Sequence, residues 1–546
     1  TTDPNAPRAP YHTSVLARGF DIPVIHVNAD DPDACIHAAR LAGAYRARYR
    51  RDILINLIGY RRLGHNELDE PAYTQPVMSR TIKAHPPVSN LYAKQLVDEG
   101  VVSAAKVDEL IADAENRMRT AHDAVVKTGE TGESSDPVTL NSDAPAPVTA
   151  MPEEELRELN EQLLHVPDSF TIHPKLKPQL ARRREAMGEG GGIAWAHAEA
   201  LAFASLLVQG VPIRPTGQDV ARGASSPRHL QWHDVGEGET WPPRTGRVYT
   251  PMANLPEAKA SFELHNSPLS EAATIGFEYG YSTEAPETLV IWEAQYGDFA
   301  NGGQTMIDQF VVSGRAKWGE RSRLVIMLPH GYEGNGPEHS SGRIERFLQL
   351  AAEDNIRVAN CSTAANYFHL LRAHGLTSRL RPLVIFTPKS LLRAKSASSH
   401  LAELSSGEFR PVIADPTVDD PTVITRLIIC SGKVAHDLAN HRERASQENL
   451  AIGRLELLYP FPEERIRELL ASYPNLTEVT WVQEEPQNMG GWTFVAPLLQ
   501  ELLPEGITLG YEGRGRRASS SEGYPQAHAT EQERLLQAAI QGGTNA

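Results

Sequence analysis

Apolar residues along this chain come in short β-branched blocks, and longer polar stretches with helical spacing separate them. PVIHVN (Pro23–Asn28) predicts a strand. ADDPDACIHAARLAGAYRARYR (Ala29–Arg50) follows, with Asp and Pro at its start and apolar positions at helical spacing, which predicts a capped helix. DILINLI (Asp52–Ile58) predicts a second, buried strand. Strand, helix and parallel strand form a crossover unit, so the expected class is α/β.

Residues 91–190 change character. NLYAKQLVDEG, VDELIADAENRMRTAHDAVV and PEEELRELNEQLL have charged helical patterns, and they flank the polar stretch Gly129–Pro152. This reads as a helical connector between domains. From about Gly188 the α/β pattern resumes. AWAHAEALAFASLLVQG and LSEAATIGFEYGYS predict helices, while VPIRPTG, TLVIWEA and SRLVIMLP predict strands. A third block begins near residue 412, with TRLIICSG, ENLAIGRLELL and LTEVTWVQEEP as strands between helices.

Length and composition narrow the class. A chain of 546 residues is too long for one core, so two to four domains are expected. No apolar run approaches the ~20 residues of a membrane span, and the first residues carry no signal-peptide pattern. Three cysteines without a CxxC cannot make a disulfide framework. A cytoplasmic protein is expected. The net charge of −16 argues against nonspecific nucleic-acid binding.

Open α/β sheets place ligands at the carboxyl ends of their strands. Three loops fit that rule. GYRRLGHNELDEPAYTQP (Gly59–Pro76) crowds charged residues around His65 after DILINLI. WEAQYGDFANGGQ (Trp292–Gln304) follows TLVI, and LPHGYEGNGPEHSSGR (Leu328–Arg343) follows SRLVIM with His330 and His339. Glycines in the third loop allow close backbone approach to a ligand. There is no Walker loop and no strand–GxGxxG–helix unit. HNE and PEH lack HExxH spacing, so no zinc site is expected. Taken singly, each loop also suits a plain solvated turn, and Glu271 could simply complement a helix dipole.

Taken together, GHNELDEPAYTQP, LSEAATIGFEYGYS, WEAQYGDFANGGQTMIDQF, LPHGYEGNGPEHSSGRIERFLQL, RPLVIFTPKSLLR and WVQEEPQNMGGW resemble the decarboxylating component of 2-oxoglutarate dehydrogenase complexes. That family depends on thiamine diphosphate, and ANYFHLLRAHGL is similar to its actinobacterial branch. The resemblance implies a thiamine-diphosphate-binding α/β fold in four parts. These are the end of the diphosphate domain (1–95), a helical connector (96–189), a pyrimidine domain (190–405) and a transketolase-like C-terminal α/β domain (406–546). It also implies oxidative decarboxylation of 2-oxoglutarate, with succinyl transfer to a lipoyl group of a partner acyltransferase. Glu271 matches the glutamate on the cofactor's aminopyrimidine, and Leu269, Gln295 and Phe299 match positions around that ring. His65 and His339 match active-site histidines, which suit developing negative charge and proton exchange near neutral pH.

The family holds Mg2+ through a GDG motif and an Asn upstream of a TTDP segment. This chain begins with TTDP and contains no GDG. The metal ligands are therefore expected on an upstream polypeptide, whether the enzyme is cleaved or naturally split, and a homodimer-type assembly is expected. Residues 224–245 depart most from the family, with Ala224 and Ser225 in place of Thr and Phe; Gly303 and Asn335 are milder changes. The divergent stretch motivates an alternative, a carboligase joining the decarboxylated 2-oxoacid to an aldehyde. A non-catalytic scaffold fragment is a third possibility.

Overall fold

The structure is a computed structural model that describes residues 12–128, 146–223, 227–236 and 247–542. They fall into two compact units, one within residues 1–137 and the other within 138–546. Among the described residues no helix is long and apolar enough to cross a membrane.

In the first unit, strands Val24–Asn28 and Leu54–Ile58 pair in parallel, Val24 opposite Leu54 and Asn28 opposite Ile58. Helix Pro32–Tyr49 connects them. Asp31 caps it by accepting from the Ala34 N–H at 2.9 Å, and Pro32 occupies the first turn, where no donor is needed. The expected burial of DILINLI is not found. Leu57 is 58% exposed and Ile58 43% exposed. A sheet of two strands leaves much of its surface uncovered, so apolar composition alone does not bury it. Helices Val88–Asp98 and Ala104–Thr128 follow.

The second unit is built on two sheets. The larger has seven strands in the order Leu457–Tyr459, Arg357–Ala359, Leu383–Thr387, Leu324–Pro329, Leu289–Glu293, Ile213–Gly217 and His265–Asn266. Every pairing is parallel except that of the edge strand Leu457–Tyr459. Its central strands are buried along their length, as their unbroken apolar sequences require. Helix Trp195–Val208 is buried on nearly all sides, and helix Glu153–Leu164 sends Leu156, Leu159 and Leu163 into the same core. Each such leucine contributes about 1.5–3 kcal/mol by leaving water.

The smaller sheet has five strands in the order Val412–Ile413, Leu450–Leu455, Arg426–Cys430, Glu478–Pro486 and Thr508–Arg514. Only its first pairing is antiparallel. Strand Leu457–Tyr459, which follows the smaller sheet's Leu450–Leu455, pairs with the larger sheet and ties the two together. The class is α/β with parallel-dominated sheets, as the sequence pattern predicts.

Candidate active site

Because strands Leu289–Glu293, Leu324–Pro329 and Leu383–Thr387 are parallel neighbours, their carboxyl ends lie on one edge of the sheet. The three following loops gather there and frame a cleft of about 300 Å³, whose lining includes Trp195, Glu199, Arg228, Gln295, Tyr296 and Lys389.

The floor of the cleft carries a buried charge cluster. The Arg228 guanidinium donates to Glu199 at 2.9 Å and also pairs with Glu293, while the Tyr367 hydroxyl donates to Glu199 at 2.6 Å. Buried carboxylates demand such partners. Burial pushes the Glu293 carboxyl up from its ordinary value, against the pull of Arg228. Burial would also lower the Arg228 pKa, but the two carboxylates outweigh it and hold the guanidinium charged. Lys389 at the rim donates to the carbonyl of His339 at 2.6 Å, and burial lowers its pKa.

Beside the cleft lies a second group of residues. Helix Glu271–Glu284 starts at Glu271, which places a carboxylate where the helix dipole favours one. Among the described residues that carboxylate has no hydrogen-bond partner, and the side chain is only half-buried. The turn Gly297–Gly303 packs directly against this helix start. A Cβ on Gly303 would lie 2.3 Å from Ile275 Cδ1, and one on Gly302 would lie 3.2 Å from Glu271 Oε2. Glycine at both positions lets the turn pack closely onto the helix start, with Gly302 against the carboxylate. Phe299, on the same turn, meets the His339 ring edge-on at 5.8 Å, and Tyr296 meets His339 at 4.5 Å and 90°. In the same turn Asp298 accepts from the Ser341 N–H at 3.2 Å, its Oδ2 has no hydrogen-bond partner among the described residues, and burial raises its pKa.

The expected site residues therefore divide. Glu271, Gln295, Phe299 and His339 gather around one turn. Leu269, two residues before Glu271, is 69% exposed. His65 belongs to the first unit, where it is exposed, and its N–H donates to Asp69 Oδ2 at 2.8 Å. Within residues 224–245, positions 224–226 and 237–245 lie outside the described residues; Trp232–His233 pairs with Val248–Tyr249.

Several residues of the cleft escaped the sequence reading: Glu199, Arg228, Glu293, Tyr296 and Lys389. One signal was present. Glu199 sits inside the apolar run WAHAEALAF, and Glu293 ends the apolar run LVIWE. A charge in such a run must find a buried partner.

Residues 1–132 match the family model of the dehydrogenase E1 component. Residues 191–395 match the transketolase pyrimidine binding domain, and 398–540 match the 2-oxoglutarate dehydrogenase C-terminal model. The chain is 49% identical to the 2-oxoglutarate dehydrogenase E1 component of Geobacillus kaustophilus over 99% of its own length and 57% of that relative. It is 48% identical to the E1 component of Bacillus subtilis over 98% of its length and 57% of the relative. The chain thus spans little more than half the length of these curated relatives. With the three models in that order, and near-half identity over almost all of its residues, the chain belongs to the 2-oxoglutarate dehydrogenase E1 family.

Proposed function

We propose that this chain supplies the aminopyrimidine side of a thiamine-diphosphate site in an enzyme that decarboxylates 2-oxoglutarate. The enzyme passes the succinyl group to a lipoyl group on a partner acyltransferase. The observation that carries the reading is the half-buried Glu271 carboxylate at a helix start, without a hydrogen-bond partner among the described residues, with the turn that carries Phe299 packed against it. The matching E1 relatives support the substrate. Residues 1–95 serve as the end of the diphosphate domain, 96–189 as the connector, 190–405 as the pyrimidine domain and 406–546 as the C-terminal domain. A homodimer-type assembly in the cytoplasm completes the proposal.

The residues present fit the aminopyrimidine, which needs a carboxylate at a ring nitrogen and an apolar wall. They do not fit Mg2+: no cluster of three His, Cys, Asp or Glu occurs among the described residues, and the sequence has no GDG. Upstream residues hold the metal in this reading. When bound, thiamine diphosphate supplies the nucleophile and the electron sink that lets carbon dioxide leave. Glu271 Oε holds the proton at the pyrimidine nitrogen. Phe299 and Tyr296 keep water from the ring, together with Gln295 and Leu269 at its border. In this reading His339 donates an N–H to the substrate carboxylate or developing oxyanion, and His65, in the first unit, is a second donor that the resemblance implies.

The test is Glu271→Ala and Glu271→Gln in the holoenzyme that contains this chain. Turnover of 2-oxoglutarate should fall about 10²–10⁴-fold in Glu271→Ala. Cofactor affinity, measured by calorimetry, should weaken, while the melting temperature holds because the carboxylate supports no hydrogen bond of the fold. Unchanged turnover would sink the assignment. Product formation that requires an aldehyde and ignores a lipoyl acceptor would replace acyl transfer with carboligation.

A further inference from the structure

The loop that carries His339 has a neck, and one histidine closes it. His330 directly follows strand Leu324–Pro329. Its backbone N–H donates to Thr387 O at 2.8 Å, and Gly331 N–H donates to Ser340 O at 2.9 Å across the neck. Gly342 N–H donates to His330 Nδ1 at 3.1 Å. A ring nitrogen that accepts a backbone N–H carries no proton, so the proton sits on Nε2. That Nε2 lies 2.8 Å from Glu485 Oε1. His330 is 7% exposed and Glu485 5% exposed. Burial, the largest influence, would raise the Glu485 pKa, but its interactions with His330, a backbone hydrogen bond and the nearby Arg514 charge together outweigh it, and the carboxylate sits below its ordinary value.

Glu485 is the last residue but one of strand Glu478–Pro486 in the smaller sheet, 155 residues along the chain from His330. The same block reaches the loop a second time, where Ser520 Oγ donates to Pro337 O at 2.8 Å. A Cβ on Gly342 would meet Phe386 Cε1 at 3.0 Å, so the neck is also tightly packed. His339 stands three residues before Gly342, against Tyr296 and Phe299.

We propose that His330 is a positioning residue: locked to Glu485 on one side and Gly342 on the other, it clamps the loop neck and so holds His339 in its working place. This rests on the reading above that His339 acts on the substrate. Removing the Glu485 acceptor leaves a buried N–H unpaired and lets the ring turn away from Gly342. The neck then loosens. A shift of about 1 Å in a group that touches the reacting atoms can cost about 10²-fold.

The experiment is a double-mutant cycle in the holoenzyme, with kcat and KM for 2-oxoglutarate and the melting temperature measured throughout. Glu485→Leu should lower kcat about tenfold or more and change KM less than about threefold. Glu485→Gln keeps an acceptor oxygen and should restore kcat to within about twofold. In the His339→Ala background, Glu485→Leu should change kcat less than about twofold, because the group it positions is gone. A loss that persists undiminished in that background overturns the proposal, as does an unchanged kcat in Glu485→Leu alone. A merely structural pair would move the melting temperature equally in both backgrounds and spare the kcat coupling. If Glu485→Leu does not fold, His330→Asn replaces it under the same criteria, since its Oδ1 can still accept from Gly342 but nothing reaches Glu485. If His339→Ala alone leaves kcat unchanged, the role of His339 itself fails and the inference with it. Additive losses overturn the inference alone.

Discussion

Two histidine-bearing loops in this molecule follow the same sequence logic and are held in opposite ways. His65 follows strand Leu54–Ile58, and His339 follows strand Leu324–Pro329. Around His65 the bonds are local: His65 N–H to Asp69 at 2.8 Å, Leu68 N–H to Asn66 at 3.0 Å, and Arg61 to His65 O at 3.3 Å; the loop's farther bonds, Arg62 to His85 O and Tyr60 to Pro86 O, reach 23 and 26 residues. Besides its own local bonds, the His339 loop is bonded to Asp298, Lys389, Glu485 and Ser520, which lie 43, 50, 155 and 183 residues from their partners. Strand Leu324–Pro329 is fully buried, whereas Ile55, Leu57 and Ile58 are exposed. Local hydrogen bonds give a loop its shape. Distant ones, reached only after the core has formed, give it a fixed place.

The sharpest way to break this comparison is one extra carbon in each loop's surroundings. A Cβ on Gly297 would lie 2.7 Å from Gly342 Cα and 2.8 Å from Pro329 O, both backbone atoms of the braced region. Neither can retreat without moving the sheet edge or the loop neck. Gly297→Ala should destabilise the second unit by about 2–3 kcal/mol, read as a lower melting temperature, and should reduce turnover as well. A Cβ on Gly64 would lie even closer to a backbone atom, 2.4 Å from Asp69 O. That loop is largely exposed and can relax as a unit, so Gly64→Ala should cost less than about 1 kcal/mol. Equal losses from the two substitutions would mean that long-range bracing is not what distinguishes the loops.

The same contrast explains what was legible in the sequence. Strand and helix periods, the Asp31–Pro32 helix start and the carboxyl-edge loops all depend on neighbours a few residues apart, and periodicity reports those. The buried pairs Arg228–Glu199, Arg228–Glu293 and His330–Glu485 join residues 29, 65 and 155 positions apart. No local pattern encodes such a pairing. What the sequence does hold is a charge at the end of a buried apolar run, as in LVIWE and TWVQEEP. Such a carboxylate must meet a cation or donors, but the identity of the partner follows only from the sheet order. The exposure of DILINLI errs in the other direction: its composition suits a core, but a two-stranded sheet has too little structure over it.

A finer test uses the charge inside the braced loop's support. Burial disfavours the charged form of Asp298, so its folded pKa lies above its unfolded value, which is 3.8. Above the unfolded pKa the folded chain keeps a proton that the unfolded chain has released, so stability falls as pH rises through the folded pKa. Asn cannot titrate, its Oδ1 can still accept from Ser341, and its Nδ2 replaces the unpartnered Oδ2. Asp298→Asn should therefore gain melting temperature relative to the parent as pH is raised from about 4 to about 7. A gap that narrows with pH would mean that solvent reaches Asp298 and that the brace is looser than its burial implies.

The smallest expected effect lies in the other loop, and it is best read by amide exchange. Asp69→Ala removes the acceptor for the His65 N–H, but His65 is exposed and water takes the bond over at once. Stability should change by less than about 0.5 kcal/mol, as for an ordinary surface substitution. Exchange of the His65 amide should quicken, because only a local opening has ever guarded it. Gly342 N–H, bonded to a buried imidazole, should by contrast exchange only through large-scale opening of the second unit, and Asp69→Ala should leave it untouched. If Gly342 exchanges as fast as His65 in the parent protein, the neck clamped by His330 is already open in solution, and the two loops differ in contacts but not in stability.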